Sequence, residues 1–204
     1  MSIILVRHGA TELNRARVLQ PPDTPLSALG IKQAEAVARY LASLHPAGVI
    51  SSDLPRAMLT AQAISRATGL PIETTELLRE RNFGDLRGQA CDGLGFDPLT
   101  MAQAPPGGES AGAFDLRMAR AFVLLVGRRA MLAGPLVVVT HGLVIRAMLA
   151  GPANPAATLQ ASAPIANTAV TIIAAGPPHA VELLNSTSHL DADMRDEPQG
   201  MAGG

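Results

Sequence analysis

Two stretches of this chain share one pattern, an apolar strand that ends at a histidine followed by glycine. The first stretch is residues 2–9, SIILVRHG, and the second is residues 136–142, LVVVTHG. Helix-like sequence begins soon after each, as in a parallel α/β sheet, where the carboxyl ends of the strands converge on one crevice. We therefore expect His8 and His141 to meet in that crevice. Arg7 stands directly before His8, which indicates an anionic substrate.

Strand-like and helix-like segments alternate along the rest of the chain, which predicts an α/β fold. The predicted strands are residues 2–6, 48–51, 136–140, 168–174 and 180–184, and the predicted helices begin near Ser27, Pro55, Ser110 and Leu143. Residues 72–113 contain many glycines and prolines, and we expect them to form a loop-rich excursion over the edge of the sheet.

The length of 204 residues allows one large domain or two small ones. No linker-like segment divides the chain, so a single domain over residues 1–192 is the simpler interpretation. Residues 193–204 lack a periodic pattern and are predicted to form a disordered tail.

The composition argues against several classes of partner. The 16 Lys and Arg residues nearly balance the 17 Asp and Glu residues, so the net charge of -1 provides no global field for nucleic acid or a membrane surface. The apolar run at residues 3–6 is broken by Arg7 and is too short for a signal peptide or a membrane span, so we expect a cytoplasmic protein. The single cysteine, Cys91, allows neither an internal disulfide nor a cysteine-based metal cluster.

Five segments, taken in order, carry a resemblance to a known family. They are Arg7-His8-Gly9 with Thr11 and Asn14, Ser51-Ser52-Asp53-Leu54 with Arg56-Ala57 and Thr60-Ala61, Leu78-Arg79-Glu80 with Phe83-Gly84, Gly108-Glu109-Ser110, and Thr140-His141-Gly142. Together they resemble the histidine phosphatase superfamily, also called phosphoglycerate mutase-like, over about residues 3–190. The resemblance implies a three-layer α/β fold with a mostly parallel central sheet and helices on both faces.

The resemblance also implies a phosphohistidine intermediate on the first histidine and a separate acid for the leaving group. The pocket that it implies around the phosphoryl group consists of Arg7, Arg56, His8 and His141. Arginine presents a planar fork of donors to phosphoryl oxygens, and His141 can donate a further hydrogen bond to the charge that builds there. Imidazole has a reference pKa of about 6.5, so a mostly neutral His8 can attack phosphorus at pH 7 without a separate base.

The leaving alkoxide needs a proton from a carboxyl group within reach. Some members of the resembled family carry an aspartate directly after the second histidine, where this chain has Gly142, so the acid must come from elsewhere. Glu80 matches the acid of the phosphatase and mutase branch, and a carboxyl beside a bound dianion has a raised proton affinity. Glu109 is the alternative acid, although an acidic residue at the start of a helix is favourable for the helix dipole alone.

Three further positions are predicted to bind substrate: Asn14, Gln20 and Gly142. Asn14 and Gln20 fall in the loop after the first histidine, where members of the resembled family contact phosphate or substrate. Each is equally typical of a turn.

Loops over the pocket depart from the family pattern and leave the identity of the substrate open. Leu86-Arg87 stand where related phosphatases tend to carry Trp-Glu, and Arg81 is typical of the mutase branch and could meet a second acidic group on a substrate. Mutases generally carry extra length after the acid, whereas only 28 residues lie between Glu80 and Glu109 here, which favours hydrolysis.

These observations predict a metal-independent phosphomonoester hydrolase for a small phosphorylated metabolite, with no cofactor. A zinc site is disfavoured because the neighbouring arginines would repel a cation, and no glycine-rich loop ends in Gly-Lys-Ser or Gly-Lys-Thr. A cofactor-dependent phosphoglycerate mutase is the first alternative, and a non-catalytic regulator that binds a phosphorylated ligand is the second. The sequence leaves the natural substrate and the oligomeric state open.

Overall fold

A six-stranded sheet forms the centre of the protein in the computed structural model, which describes residues 2–151 and 164–195. Its strands are β1 (Ser2–Arg7), β2 (Gly48–Ser51), β3 (Ile72–Thr74), β4 (Leu136–Thr140), β5 (Val170–Ala174) and β6 (Val181–Ser186). Their order across the sheet is β3-β2-β4-β1-β5-β6. The strands β1 to β4 are mutually parallel, whereas β5 runs antiparallel to β1 and β6 antiparallel to β5. The prediction of a mostly parallel sheet is confirmed.

The α-helices of the described residues are α1 (Glu12–Arg15), α2 (Ala28–Ala42), α3 (Pro55–Thr68), α4 (Ala111–Ala130) and α5 (Gly142–Ala150). The long helices begin where the sequence indicates. Ser27 Oγ accepts the N–H of Gly30 at the start of α2, and Ser110 Oγ accepts the N–H of Ala113 at the start of α4, both at 3.1 Å. Pro55 is the first residue of α3, where a missing N–H leaves no helical hydrogen bond unmade.

Side chains of the central strand alternate between two apolar layers. Ile3 and Leu5 of β1 belong to the cluster formed with α4 and α5, whereas Ile4 and Val6 belong to the cluster formed with α2 and α3. Because successive residues of a strand point to opposite faces, these two clusters lie on opposite sides of the sheet. The three-layer arrangement with helices on both faces is therefore confirmed.

The pairing of β1 with β4 positions the two histidines. Arg7 lies opposite Thr140 in the parallel register, and the backbone N–H of His8 donates to the Thr140 carbonyl oxygen at 2.9 Å. His8 and His141 directly follow these paired residues, so they emerge side by side at the carboxyl end of the sheet. The next strand, β2, brings Ser52 to the same edge.

The sequence patterns do not predict the two shortest elements, α1 and β3. A helix of 4 residues and a strand of 3 are too short for their periodicity to be recognised. The strand β3 nevertheless extends the sheet, because it pairs in parallel with β2. Between β3 and α4 the chain forms the expected loop-rich excursion. Its short 3₁₀ turns are Glu76–Leu78, Gly84–Leu86, Cys91–Gly93 and Pro98–Thr100.

The predicted disordered tail, residues 193–204, lies mostly outside the described residues. Where the tail begins, the chain forms a 3₁₀ turn over Ala192–Met194. Gln33 of α2 donates from Nε2 to the Met194 carbonyl oxygen at 2.8 Å. No helix within residues 2–151 and 164–195 combines the length and apolar character that crossing a membrane requires. The cytoplasmic location and the single domain stay predictions.

A close backbone approach requires the glycine of the first histidine-glycine pair. The loop that leaves β1 crosses directly over the first turn of α2. A Cβ on Gly9 would overlap the carbonyl oxygen of Gly30, and a Cβ on Gly30 would overlap the carbonyl oxygen of Ala10. The crossing is fastened by the Ala10 N–H, which donates to Gln33 Oε1 at 2.8 Å. Since backbone atoms form the obstacles, they cannot move aside without displacing the strand or the helix.

Gly30→Ala is expected to lower the free energy of unfolding by about 3 kcal/mol, because the added methyl group has no room beside the loop. Gly127→Ala is the matched control. Gly127 lies on the exposed side of α4 with open space at its Cβ position, so alanine there should raise the free energy of unfolding by about 0.5–1 kcal/mol. Urea unfolding followed by circular dichroism measures both values. Equal effects of the two substitutions would contradict the close approach.

Candidate active site

Two imidazole rings lie together where β1 and β4 end. The ring centroids of His8 and His141 are 5.1 Å apart, and the ring planes are inclined at 59°. Both residues are completely buried. The structure thus brings together the two histidines that the sequence places at matching strand ends.

The contact of His8 with Gly9 selects one tautomer of the neutral ring. His8 Nδ1 lies 2.7 Å from the Gly9 carbonyl oxygen, and a carbonyl oxygen can only accept, so Nδ1 carries the proton. Nε2 then carries the lone pair that a nucleophile needs. The carbonyl oxygen of His8 accepts from Asn167 Nδ2 at 2.9 Å and from the Thr168 N–H at 3.3 Å. These bonds anchor His8 to the segment that precedes β5.

Ser52 orients the ring of His141. Ser52 Oγ accepts the Leu54 N–H at 3.4 Å and lies 2.9 Å from His141 Nε2. When the Ser52 hydroxyl donates to Nε2, Nδ1 is the ring donor. Burial, and next the charge of Arg56, lowers the pKa of His141 well below its usual value. His141 is accordingly a neutral hydrogen-bond donor at neutral pH.

Two guanidinium groups are buried at the same end of the sheet. Arg7 and Arg56 are only 2% and 1% exposed. Arg7 donates from Nη1 to the Ile165 carbonyl oxygen, and Arg56 donates from Nη1 to the Pro21 carbonyl oxygen at 3.4 Å. Burial lowers the pKa of Arg56 to about 10, and the negative charge of Glu80 opposes the shift. Arg56 therefore remains a cation at neutral pH.

The Glu80 carboxyl is buried beside these cations. Its Oε1 accepts the Arg81 N–H at 2.9 Å, and its Oε2 accepts the N–H of Leu143, in the first turn of α5, at 3.2 Å. Burial raises the pKa of Glu80, while the two N–H groups and the charges of Arg56 and Arg7 oppose that rise. A carboxyl with a raised pKa can hold a proton closer to neutral pH, as a general acid must.

The predicted substrate-binding residues Asn14, in α1, and Gln20, in the loop that follows it, are both buried. Asn14 Oδ1 accepts from the Thr11 N–H at 3.0 Å, which completes the capping box of α1, and from Asn167 Nδ2 at 3.3 Å. Gln20 Oε1 accepts from Thr11 Oγ1 at 3.1 Å. The third predicted position, Gly142, is the first residue of α5. Asn14 and Gln20 therefore share the Thr11 side chain as a hydrogen-bond partner, and Gly142 directly follows His141.

Three buried donors around the site lack an acceptor in the parts of the chain that the structure describes. They are Gln20 Nε2, Arg56 Nε and His141 Nδ1. Leaving a buried donor without an acceptor is unfavourable by about 1–3 kcal/mol. A phosphoryl group offers several acceptor oxygens together with the negative charge that Arg7 and Arg56 attract. The arrangement therefore suits an oxyanion ligand.

Sequence reasoning assigns no role to two residues of the site, Ser52 and Asn167. Ser52 directly follows β2, and a polar residue at the carboxyl end of a parallel strand is a sequence signal that could have identified it as part of the site. Asn167 lies 159 residues from His8, whose carbonyl oxygen it contacts. No local sequence signal links them, because only the pairing of β1 with β5 brings the two segments together.

Glu109 is engaged in an ion pair. Its Oε1 and Oε2 accept from Nε and Nη2 of Arg117 at 2.9 and 2.7 Å. Arg117 Nη1 also donates to the carbonyl oxygens of Leu77 and Arg79 at 2.9 and 2.7 Å. The pair fastens α4 to the segment that leads into Glu80. This geometry favours a structural role for Glu109 over the role of the acid.

Two adjoining cavities lead away from Glu80. An inner chamber of about 10 Å³ is lined by residues that include Gln20, Arg56, Glu80 and Arg87. An outer cleft of about 730 Å³ shares Glu80 and Arg87 with the chamber and extends to Ser110 at the start of α4. A cleft of this volume is typical of small-molecule sites.

Comparisons with known proteins agree with this architecture. A family model of the histidine phosphatase superfamily, branch 1, matches residues 3–186. Fructose-2,6-bisphosphatase TIGAR B of Danio rerio is 40% identical over 122 residues, which are 53% of this chain and 47% of that protein. A probable phosphoglycerate mutase, GpmB, of Yersinia pestis is 42% identical over 95 residues, which are 46% of this chain and 44% of that protein. The matches span about half the length of these curated relatives.

Among solved structures, a mycobacterial glucosyl-3-phosphoglycerate phosphatase matches with a TM-score of 0.78 at 29% identity. The match covers 91% of this chain and 99% of that chain. The family model spans nearly all of the sheet, and the residues that carry the resemblance converge at its carboxyl end. This chain belongs to the histidine phosphatase superfamily, branch 1.

Proposed function

We propose that this protein is a metal-independent phosphomonoester hydrolase that acts on a small phosphorylated metabolite through a phosphohistidine on His8. The observation that carries the proposal is the tautomer of His8, whose Nδ1 contacts the Gly9 carbonyl oxygen and leaves the lone pair on Nε2. Buried Arg7 and Arg56 supply the charge that holds a phosphoryl dianion. The substrate class is supported by the relatives named for fructose 2,6-bisphosphate and glucosyl-3-phosphoglycerate.

In the first step, Nε2 of His8 attacks phosphorus, so an N–P bond forms and the P–O bond to the alcohol breaks. The protonated carboxyl of Glu80 gives its proton to the departing oxygen, and the alcohol leaves neutral. The ring of His8 becomes positively charged at this point. The Gly9 carbonyl oxygen stabilises that charge because it accepts the Nδ1–H bond.

In the second step, a water molecule attacks phosphorus and gives a proton to the Glu80 carboxylate. The N–P bond breaks, its electron pair returns to Nε2 of His8, and inorganic phosphate leaves. Throughout both steps Arg7, Arg56 and His141 donate hydrogen bonds to the phosphoryl oxygens, where charge develops. Each group ends the cycle in the protonation state in which it began.

The two guanidinium groups supply the positive charge that a metal ion supplies in other phosphoryl-transfer sites, and they repel cations. Within the described residues, no three His, Cys, Asp or Glu side chains form a group suited to a metal ion. Activity that is unchanged after dialysis against a chelator is therefore expected.

A phosphoglycerate mutase is the second candidate, because a probable mutase is among the curated relatives. A mutase would return the phosphoryl group to the substrate and would require a bisphosphorylated primer. The match to a phosphatase structure over 99% of that chain supports hydrolysis.

Trapping the intermediate tests the proposed function. Brief reaction with ³²P-labelled phosphomonoester, quenched in alkali, should leave label on the wild-type protein, and acid should release it, since phosphohistidine is acid-labile. His8→Asn should carry no label.

A second assay separates the hydrolase from the mutase. Phosphate release from a substrate panel is compared with conversion of 3-phosphoglycerate, with and without a bisphosphorylated primer. Primer-dependent conversion without phosphate release would establish the mutase, and a complete lack of label would favour the non-catalytic regulator.

Glu80→Gln should reduce the rate about 10²- to 10⁴-fold for a substrate with a poor leaving group, because glutamine cannot donate the proton. Inhibition by inorganic phosphate should change little. The pKa of Glu80 is raised by burial, and the protonated form is the acid. The wild-type rate should therefore decline on the alkaline side as the pH rises through that raised pKa. The variant should lack this alkaline decline in a kcat against pH profile.

Glu109→Gln is the matched control for Glu80→Gln. Loss of the paired charge should lower the free energy of unfolding by about 2 kcal/mol, because Arg117 is left partly buried without its carboxylate. The alkaline decline of the rate should persist. If Glu109→Gln removed the decline and Glu80→Gln kept it, the acid would be Glu109.

A further inference from the structure

Of the three guanidinium groups that line the outer cleft, one has no carboxylate partner in the described part of the chain. The three belong to Arg79, Arg87 and Arg117. Arg79 donates from Nε and Nη2 to both carboxylate oxygens of Asp53, and Arg117 makes the same kind of contact with Glu109. Within residues 2–151 and 164–195, Arg87 forms neither an ion pair nor a side-chain hydrogen bond. Arg87 therefore presents to the cleft a guanidinium group that has no bonded partner among the described residues.

Arg87 stands between the outer cleft and the arginines at the strand ends. It lines the inner chamber together with Arg56 and Glu80, and it also lines the outer cleft. The charges of Arg7 and Arg87 both lower the pKa of Arg56. The Arg87 N–H donates to the Gly84 carbonyl oxygen at 3.1 Å, which holds the residue at the end of a 3₁₀ turn.

The surroundings of Arg87 are unfavourable for an unpaired cation. Its side chain is half-buried, and burial together with the charge of Arg79 lowers the pKa of Arg87. A partly desolvated guanidinium group is stabilised most by an anion such as a carboxylate or a phosphate, whose oxygens can accept two of its N–H bonds at once. The proposed mechanism assigns the reacting phosphoryl group to Arg7 and Arg56 beside His8, which leaves Arg87 available to a different anion.

The sequence suggests Arg81 as the partner of a second acidic group on the substrate, but its guanidinium group already forms hydrogen bonds within the protein. Its Nη2 donates to the Met101 carbonyl oxygen at 2.6 Å, and its Nε donates to the Glu109 carbonyl oxygen at 3.3 Å. Its guanidinium also lies 5.4 Å from the centre of the Phe83 ring. Arg81 therefore holds the excursion in place, and of the arginines that line the outer cleft in the described part of the chain, Arg87 is the one without a carboxylate partner.

We propose that Arg87 determines substrate specificity by binding a second anionic group, a carboxylate or a second phosphate, on the alcohol portion of the substrate. This inference rests on the proposed function. The substrate would lie with its reacting phosphoryl group on Arg7 and Arg56 and its alcohol portion past Glu80. Its second anion would then reach the mouth of the outer cleft.

Two matched pairs of phosphomonoesters test the role of Arg87. The first pair is 3-phosphoglycerate and glycerol 3-phosphate, which differ by a carboxylate. The second pair is fructose 1,6-bisphosphate and fructose 6-phosphate, which differ by a phosphate. The value of kcat/KM is measured for each, and for p-nitrophenyl phosphate, with wild type, Arg87→Gln, Arg87→Lys and Arg87→Glu. Arg66→Gln, at an exposed position of α3 outside both cavities, controls for the loss of one positive charge.

The wild type should have the higher kcat/KM for the more anionic member of at least one pair. The pair that shows this difference identifies the second anion as a carboxylate or a phosphate. Arg87→Gln should reduce that preference about 10- to 100-fold, and Arg87→Glu should reduce it further. Arg87→Lys should retain part of it, and Arg66→Gln all of it. Because p-nitrophenyl phosphate carries no second anion, its kcat/KM provides the reference for each variant against which the preference is normalised. An unchanged preference in Arg87→Gln overturns the inference. Failure of the wild type to hydrolyse p-nitrophenyl phosphate overturns the proposed function instead.

Discussion

The parallel pairing of β1 with β4 is the contact on which the site depends. Arg7 lies opposite Thr140 in this register, and one more residue along each strand places the rings of His8 and His141 5.1 Å apart. A shift of one residue in either strand would send a histidine to the opposite face of the sheet, because strand side chains alternate. The apolar layers on both faces resist such a shift, since it would exchange the residues that each layer buries.

The site concentrates positive charge where water is scarce. Arg7, Arg56 and the two histidines are all buried, and the cost of desolvation is visible in the lowered pKa values of Arg56 and His141. Glu80 opposes the shift at Arg56 and is in turn held by two backbone N–H groups. Backbone groups bond Arg7, His8, Arg56 and Glu80, and the Ser52 hydroxyl holds His141. The site is suited to bind an anion because several of its hydrogen-bond donors have no acceptor among the described residues.

Much of the fold was predictable because its signals are local. Apolar strands, the serine caps of α2 and α4 and the proline at the start of α3 each depend on a few neighbouring residues. The elements α1 and β3 were not predicted because each is too short to show the repeating apolar pattern of a helix or a strand. The ion pair of Glu109 with Arg117 also escaped prediction, because the spacing of 8 residues across the start of a helix does not indicate which carbonyl groups Arg117 will meet.

The sequence by itself determined the residue types of the site and their order along the chain, and hence the family to which the chain belongs. Only the tertiary structure decided which nitrogen of His8 carries the proton, which hydroxyl orients His141 and which arginine on the cleft lacks a carboxylate. The orientation of His141 and the pairing of the cleft arginines depend on contacts between residues far apart in the chain, whereas the tautomer of His8 depends on how its ring is turned towards the neighbouring Gly9 carbonyl oxygen in the folded site. Hydrogen-bond geometry and burial, which arise only when the sheet and the excursion are assembled, set the protonation and pairing of each group.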